Sequence, residues 1–329
     1  MSKCIVLVGI FAIVSVIVGG QWDAWMHAKQ GHTVFAVPHL IIIGGFSLFF
    51  VSGIFALSML LKDRKLLDRE RRSMWLVAVG GIMTPIGLVL DEGWHRFINL
   101  DMTVWSIPHG LMFLSVTCVL VGLADFTIHR NKLLPIFFFA AILTVGFFSL
   151  LDFDQPHMSW VADSRPGFTY AITITGISTF TFALIITAMR HVGLVTAIAS
   201  IAWILYTAIG YTVGMTGGFF NAFPPFPIII PAIALDISLL VFRGRFLIPA
   251  FISATTCYWG VIIWADLYTG SKLPQQLSGG PIDWLIWYVI FIPAGSYIIP
   301  KLARAISNWA FNDIKYADSA RMPRVGPTI

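Results

Sequence analysis

About ten apolar stretches, each close to the length that spans a lipid bilayer, constrain the fold of this chain more than any other feature. They cover roughly residues 4–20, 39–61, 73–90, 108–128, 133–151, 168–189, 193–215, 224–242, 246–267 and 283–302. Hydrophobic residues make up 57% of the 329 residues, charged residues make up 11%, and the mean hydropathy is +0.84. A soluble domain has about 25% charged residues. The sequence therefore predicts an all-α polytopic membrane protein with about ten transmembrane helices, whose environment is the lipid bilayer.

The basic residues fall unevenly on the two sides of these stretches. Six Lys or Arg lie between Lys62 and Arg72, and most of the others belong to the same side as the chain termini. The basic residues on the opposite side are Lys29, Arg96, Arg165 and Lys272. The positive-inside rule then places both termini in the cytoplasm and the opposite loops on the outer side of the cell membrane. The net charge of +5 is thus explained by the basic residues on the predicted cytoplasmic side, and no nucleic-acid partner is expected.

Single cysteines in place of Lys29 and Lys65 test this orientation. We expect a membrane-impermeant thiol reagent, added to intact cells, to label position 29 and to spare position 65, because only the first would face outward. The native Cys4, Cys118 and Cys257 lie in apolar stretches and are replaced in the background. Labelling of position 65 without position 29 would show that the orientation is opposite to the predicted one.

A pattern of Asp, His and Pro-His occurs twice in the N-terminal part of the chain. Its members are Asp23, His27 and Pro38-His39 in the first copy, and Asp91, His95 and Pro108-His109 in the second. The Asp and the first His are displaced by the same offset between the copies, and the Pro-His pair is displaced only slightly further. The N-terminal part is therefore predicted to be a direct repeat of helix, Asp/His loop and helix.

This repeat divides the chain. Residues 1–130 are predicted to form a duplicated, metal-binding four-helix membrane unit. Residues 131–302 would add six further transmembrane helices, and residues 303–329 would form a cytoplasmic tail. Two acids outside the Asp/His pattern, Asp125 and Asp236, lie near cytoplasmic ends of apolar stretches, where acids are functional candidates. Arg243 or Arg245 is the expected partner of Asp236.

Each copy of the pattern offers three side chains that bind metals. An Asp and a His four residues apart lie on one face of a helix, and the second His opens the next helix after a Pro. Two imidazoles and a carboxylate suit copper, iron or zinc, whereas Mg²⁺ and Ca²⁺ prefer oxygen ligands. The predicted metal ligands are Asp23, His27 and His39 in the first site and Asp91, His95 and His109 in the second.

The segment from Asp91 to His95, followed by Pro108-His109, resembles the signature of the C-type subunit of the particulate methane and ammonia monooxygenases, the copper membrane monooxygenases. The family signature is D-x3-H-x12-H and, further along, N-x3-H-x13-H. This chain has D-x3-H-x11-H and then D-x3-H-x13-H, with Asp91 where the family has Asn. The resemblance covers residues 1 to about 130, and six further spans have no identified counterpart.

The resemblance implies copper at both sites and a monooxygenase-like oxidoreductase, or a subunit of one, with other monooxygenase-type subunits and quinol as partners. Iron is the alternative metal, because two His and one carboxylate also form iron sites. Two other functions stay open. One is a non-catalytic accessory protein that stores or delivers copper. The other is a quinol-linked cytochrome b with His39 and His109 as axial haem ligands.

Overall fold

The computed structural model describes residues 2–29, 36–62, 66–98, 107–148, 168–189, 191–217, 226–242, 246–269 and 281–311. Ten α-helices occupy these ranges, and they match the predicted apolar stretches. They are α1 (Ser2–Lys29), α2 (Val37–Lys62), α3 (Asp68–Ile98), α4 (Ile107–Thr127), α5 (Leu133–Phe148), α6 (Phe168–Met189), α7 (Leu194–Gly217), α8 (Ile229–Val241), α9 (Leu247–Thr269) and α10 (Pro281–Phe311). The predicted all-α fold is confirmed over the described part of the chain.

The composition of these helices is that of a multi-pass membrane protein. Within the described residues, seven helices are long and apolar enough to cross a membrane: α1, α2, α3, α4, α6, α9 and α10. Shorter apolar helical segments occur in α5, α7 and α8. Large apolar side chains such as Phe11, Val89 and Leu114 are exposed on the helices. Such exposure suits contact with lipid tails, which are themselves apolar.

The helices of the sequence repeat pack in chain order within one compact unit, which comprises Met1–Met158 and Leu205–Ala222. Here α1 packs against α2, α2 against α3, α3 against α4 and α4 against α5. Further contacts of α1 with α4 and α5 close this row into a bundle. The predicted boundary at residue 130 stays a prediction.

A buried ion pair joins the start of α3 to the end of α4. The Arg69 guanidinium donates to Asp125 Oδ1 from Nη2 at 2.6 Å and from Nε at 3.0 Å, and Nη2 also donates to the Asp125 backbone oxygen at 3.0 Å. The Ser73 hydroxyl donates to the other carboxylate oxygen. All three residues are buried. The pair is therefore well hydrogen-bonded, and it fixes the ends of these two helices remote from Asp91 and His109.

The second unit comprises Ser159–Ile204 and Phe223–Ile329. In it α9 packs against α6, α8 and α10, and α6 also packs against α10. The buried Asp236 of α8 accepts hydrogen bonds from the backbone N–H of Thr196 at 2.9 Å and from its hydroxyl at 2.6 Å. Thr196 lies in the first turn of α7, where N–H groups lack helical partners. Asp236 thus caps a neighbouring helix, and its predicted partners Arg243 and Arg245 lie outside the described residues.

Candidate metal centre

The Asp/His pattern sits where one helix ends and the next begins. Asp23 and His27 lie near the end of α1, and Asp91 and His95 near the end of α3, so that both D-x3-H segments are helical. The second His of each copy is the third residue of α2 or α4, directly after the proline. Proline is tolerated there because a first-turn N–H has no helical partner to lose.

Each copy brings the Asp of one helix to the Pro-His histidine of the next. Asp23 Oδ1 lies 2.9 Å from His39 Nε2 in the first copy, and Asp91 Oδ1 lies 3.3 Å from His109 Nδ1 in the second. The four side chains are between 16% and 28% exposed. Two of the three predicted ligands of each site are therefore neighbours, and both pairs are largely sheltered from solvent.

A glycine lies one turn before each Asp, where the two helices are in close contact. A Cβ added to Gly19 would stand 2.8 Å from Ile42 Cγ1 and 3.0 Å from the Ile42 backbone nitrogen. A Cβ added to Gly87 would stand 2.6 Å from Met112 Cγ. Gly19 is separated from Gly87 by the same offset as Asp23 from Asp91, and Ile42 from Met112 by the same offset as His39 from His109. The close helix crossing thus belongs to the repeat.

A second contact between small residues lies deeper along the same helix pairs. A Cβ on Gly45 would be 2.9 Å from the backbone oxygen of Ala12, and a Cβ on Gly80 would be 2.6 Å from the backbone oxygen of Ser115. Ala12 corresponds to Gly80, and Gly45 to Ser115, at the same two offsets. Small residues let helix backbones approach closely in membranes. Both copies therefore share the packing that brings Asp and His together, as well as the two residues themselves.

The remaining predicted ligands, His27 and His95, have side chains outside the described residues. Among the side chains that are described, no group of three His, Cys, Asp or Glu forms a metal cluster. The described part of each site is accordingly one Asp–His pair, and the predicted third ligand of each site stays a prediction.

The two pairs fit the donor set of a transition metal. Two ligand atoms bound to one such ion at about 2.0–2.1 Å lie roughly 2.9–3.4 Å apart for bond angles between square and tetrahedral. The two measured separations fall in this interval. A direct N–H···O hydrogen bond accounts for separations of this size as well. The chemistry of the donors, imidazole with carboxylate, suits copper or iron.

Comparison with known proteins does not assign this chain to a family. No family model, no curated protein and no solved structure matches this chain at a significance that indicates a relationship. The likeness to the copper membrane monooxygenases therefore depends on the spacing of the Asp and His residues alone.

Proposed function

We propose that this chain is a membrane metalloprotein that binds copper at two repeated Asp/His sites on the outer face of the cell membrane. The observation that supports this best is the recurrence of an Asp–His contact at equivalent positions of two helix pairs, through Nε2 in the first copy and Nδ1 in the second. The glycine contacts recur with it. A contact that served packing alone would not need to repeat both polar identities, since apolar residues stabilise helix pairs equally well.

In the first site Asp23 and His39 would hold the metal together with His27, and in the second Asp91 and His109 would do so with His95. Bound copper would supply oxygen activation or electron transfer. Three protein ligands leave open positions where oxygen or a substrate can bind. The partial burial of both pairs limits the access of water. The function we propose is accordingly a monooxygenase-like oxidoreductase, or a subunit of one, with quinol as electron donor and other subunits as partners.

Elemental analysis and electron paramagnetic resonance of the protein purified without chelators test this proposal. We expect copper, with signals that indicate mixed nitrogen and oxygen ligands. Iron with a Soret absorbance band would instead indicate a cytochrome b. Copper without any oxygen consumption in the presence of quinol and partner subunits would indicate an accessory protein. A protein free of transition metals after growth in copper would overturn the proposal.

The Asp91→Asn variant separates copper from iron at the second site. It introduces the Asn that the monooxygenase signature has at this position, and it removes one negative charge. We expect the variant to keep its copper, since an amide oxygen can replace a carboxylate oxygen beside two imidazoles. An iron centre of the two-His-one-carboxylate kind would lose affinity severely. Loss of all metal from this variant, with iron found in the parent protein, would contradict the copper assignment.

A further inference from the structure

We propose that Gly19 is a positioning residue for the first metal site, and that its counterpart Gly87 does not carry the same constraint. The role in copper binding rests on the proposed function, whereas the role in the approach of the two helices, measured by cross-linking, does not. The two glycines occupy equivalent places in the repeat, one turn before Asp23 and one turn before Asp91. What differs is the part of the facing helix that each one touches.

Gly19 faces two isoleucine side chains of α2 and, unlike Gly87, also a backbone atom at close range. The nearest atoms to its added Cβ are Ile42 Cγ1 at 2.8 Å, the Ile42 nitrogen at 3.0 Å and Ile41 Cγ2 at 3.1 Å. The nitrogen belongs to the first turns of α2, which a side-chain rotation cannot move. A methyl group at position 19 therefore pushes the start of α2 away from α1 by a few tenths of an ångström. His39 lies one turn before Ile42, so it moves with that backbone and away from Asp23.

Gly87 faces a flexible side chain. Its added Cβ would lie 2.6 Å from Met112 Cγ, while the Met112 nitrogen is 3.6 Å away, which is ordinary van der Waals contact. Methionine is unbranched and has three rotatable bonds, so it adapts readily to a changed neighbour. A methyl group at position 87 therefore clashes with Met112 Cγ, which rotation about the Cα–Cβ bond moves, and not with the backbone of α4. The start of α4, with His109, stays in place.

The experiment compares Gly19→Ala with Gly87→Ala, and uses Gly44→Ala as the control. Gly44 lies in α2, and a Cβ there would meet nothing within 4 Å. We expect Gly19→Ala to weaken copper binding at one site by about 10-fold, the lower end of the loss that follows removal of hydrogen-bond partners of metal ligands. The other site should keep its copper and its spectrum, which also reports that the variant is folded. Gly87→Ala and Gly44→Ala should keep both coppers.

Cross-linking measures the same displacement without metal. Cysteines replace Asp23 and His39 in one variant, and Asp91 and His109 in another, in a background without the native cysteines. We expect Gly19→Ala to slow the joining of positions 23 and 39 by direct disulfide oxidation, because a disulfide requires a specific distance and orientation of the two Cβ atoms. We expect Gly87→Ala to leave positions 91 and 109 joined as in the parent.

Equal cross-linking of positions 23 and 39 with and without Gly19→Ala would overturn the inference, as would equal losses from Gly19→Ala and Gly87→Ala. If the parent protein holds no copper, the proposed function fails while the cross-linking still decides the role of Gly19. Copper in the parent, together with unchanged copper and cross-linking in Gly19→Ala, would leave the proposed function standing and refute the positioning role.

Discussion

We expect His109→Ala to remove one metal from each chain while the melting temperature stays close to that of the parent. The imidazole is one of two described ligands of the second site, and alanine offers no donor to replace it. His109 is partly exposed and pairs with Asp91 at 3.3 Å. Because the side chain is partly exposed, its truncation should lower the free energy of unfolding of the metal-free protein by no more than about 1 kcal/mol. Metal analysis and thermal unfolding in one detergent measure both effects.

The repeat supplies the comparison variants for this experiment. His39→Ala should remove the other metal, and the double variant should bind none. His191→Ala serves as the matched control, since His191 is exposed between α6 and α7 and belongs to neither copy. Full metal content in both His39→Ala and His109→Ala would reject the two sites.

The largest effect on stability is expected from Arg69→Met. This change leaves the Asp125 carboxylate buried without the guanidinium that is hydrogen-bonded to it, and breaking one partner of a buried ion pair costs about 3–5 kcal/mol. The double variant Arg69→Met/Asp125→Leu should recover much of this loss, because it removes both charges and fills the space with apolar side chains. Thermal unfolding of the three proteins in the same detergent gives the comparison.

The neighbouring ion pair between Arg130 and Glu70 provides the control, because it joins the same two ends but is exposed. Glu70→Gln should cost no more than about 1 kcal/mol, as is usual for exposed pairs. If Arg69→Met unfolds at the same temperature as Glu70→Gln, the Arg69–Asp125 pair does not fix the ends of α3 and α4.

The helices were predictable because their signal is local. A stretch of apolar residues near the length of a bilayer identifies a helix without knowledge of its neighbours, and the D-x3-H spacing places two side chains on one helix face. The approach of Asp23 to His39 and of Asp91 to His109 was also expected, since each pair flanks a single connection between consecutive helices.

The partners of the buried acids were harder to predict, since they are distant in the sequence. Asp125 binds Arg69, 56 residues earlier, and Asp236 binds Thr196, 40 residues earlier. The contact of Asp236 with Thr196 was not predicted, because the sequence does not reveal which helix lies beside α8, and the predicted pairing with Arg243 or Arg245 stays a prediction. The glycine contacts were missed for a different reason. Each of Gly19 and Gly87 alone resembles any other glycine in a membrane helix. Their equivalence is seen only when the offset between Asp23 and Asp91 is compared with the offset between the two glycines.

The repeated unit is a pair of consecutive helices, α1 with α2 and α3 with α4, which is an arrangement that tandem duplication produces readily. A unit that crosses the bilayer twice begins and ends on the same side, so a tandem copy of its gene segment enters the membrane in the original orientation. Both copies then present their Asp and His residues to one compartment, and neither has to invert its distribution of basic residues. Once two equivalent units exist, one can drift while the other preserves the ancestral arrangement. The exchange of Ile42 for Met112 opposite the paired glycines is the kind of divergence that such redundancy permits.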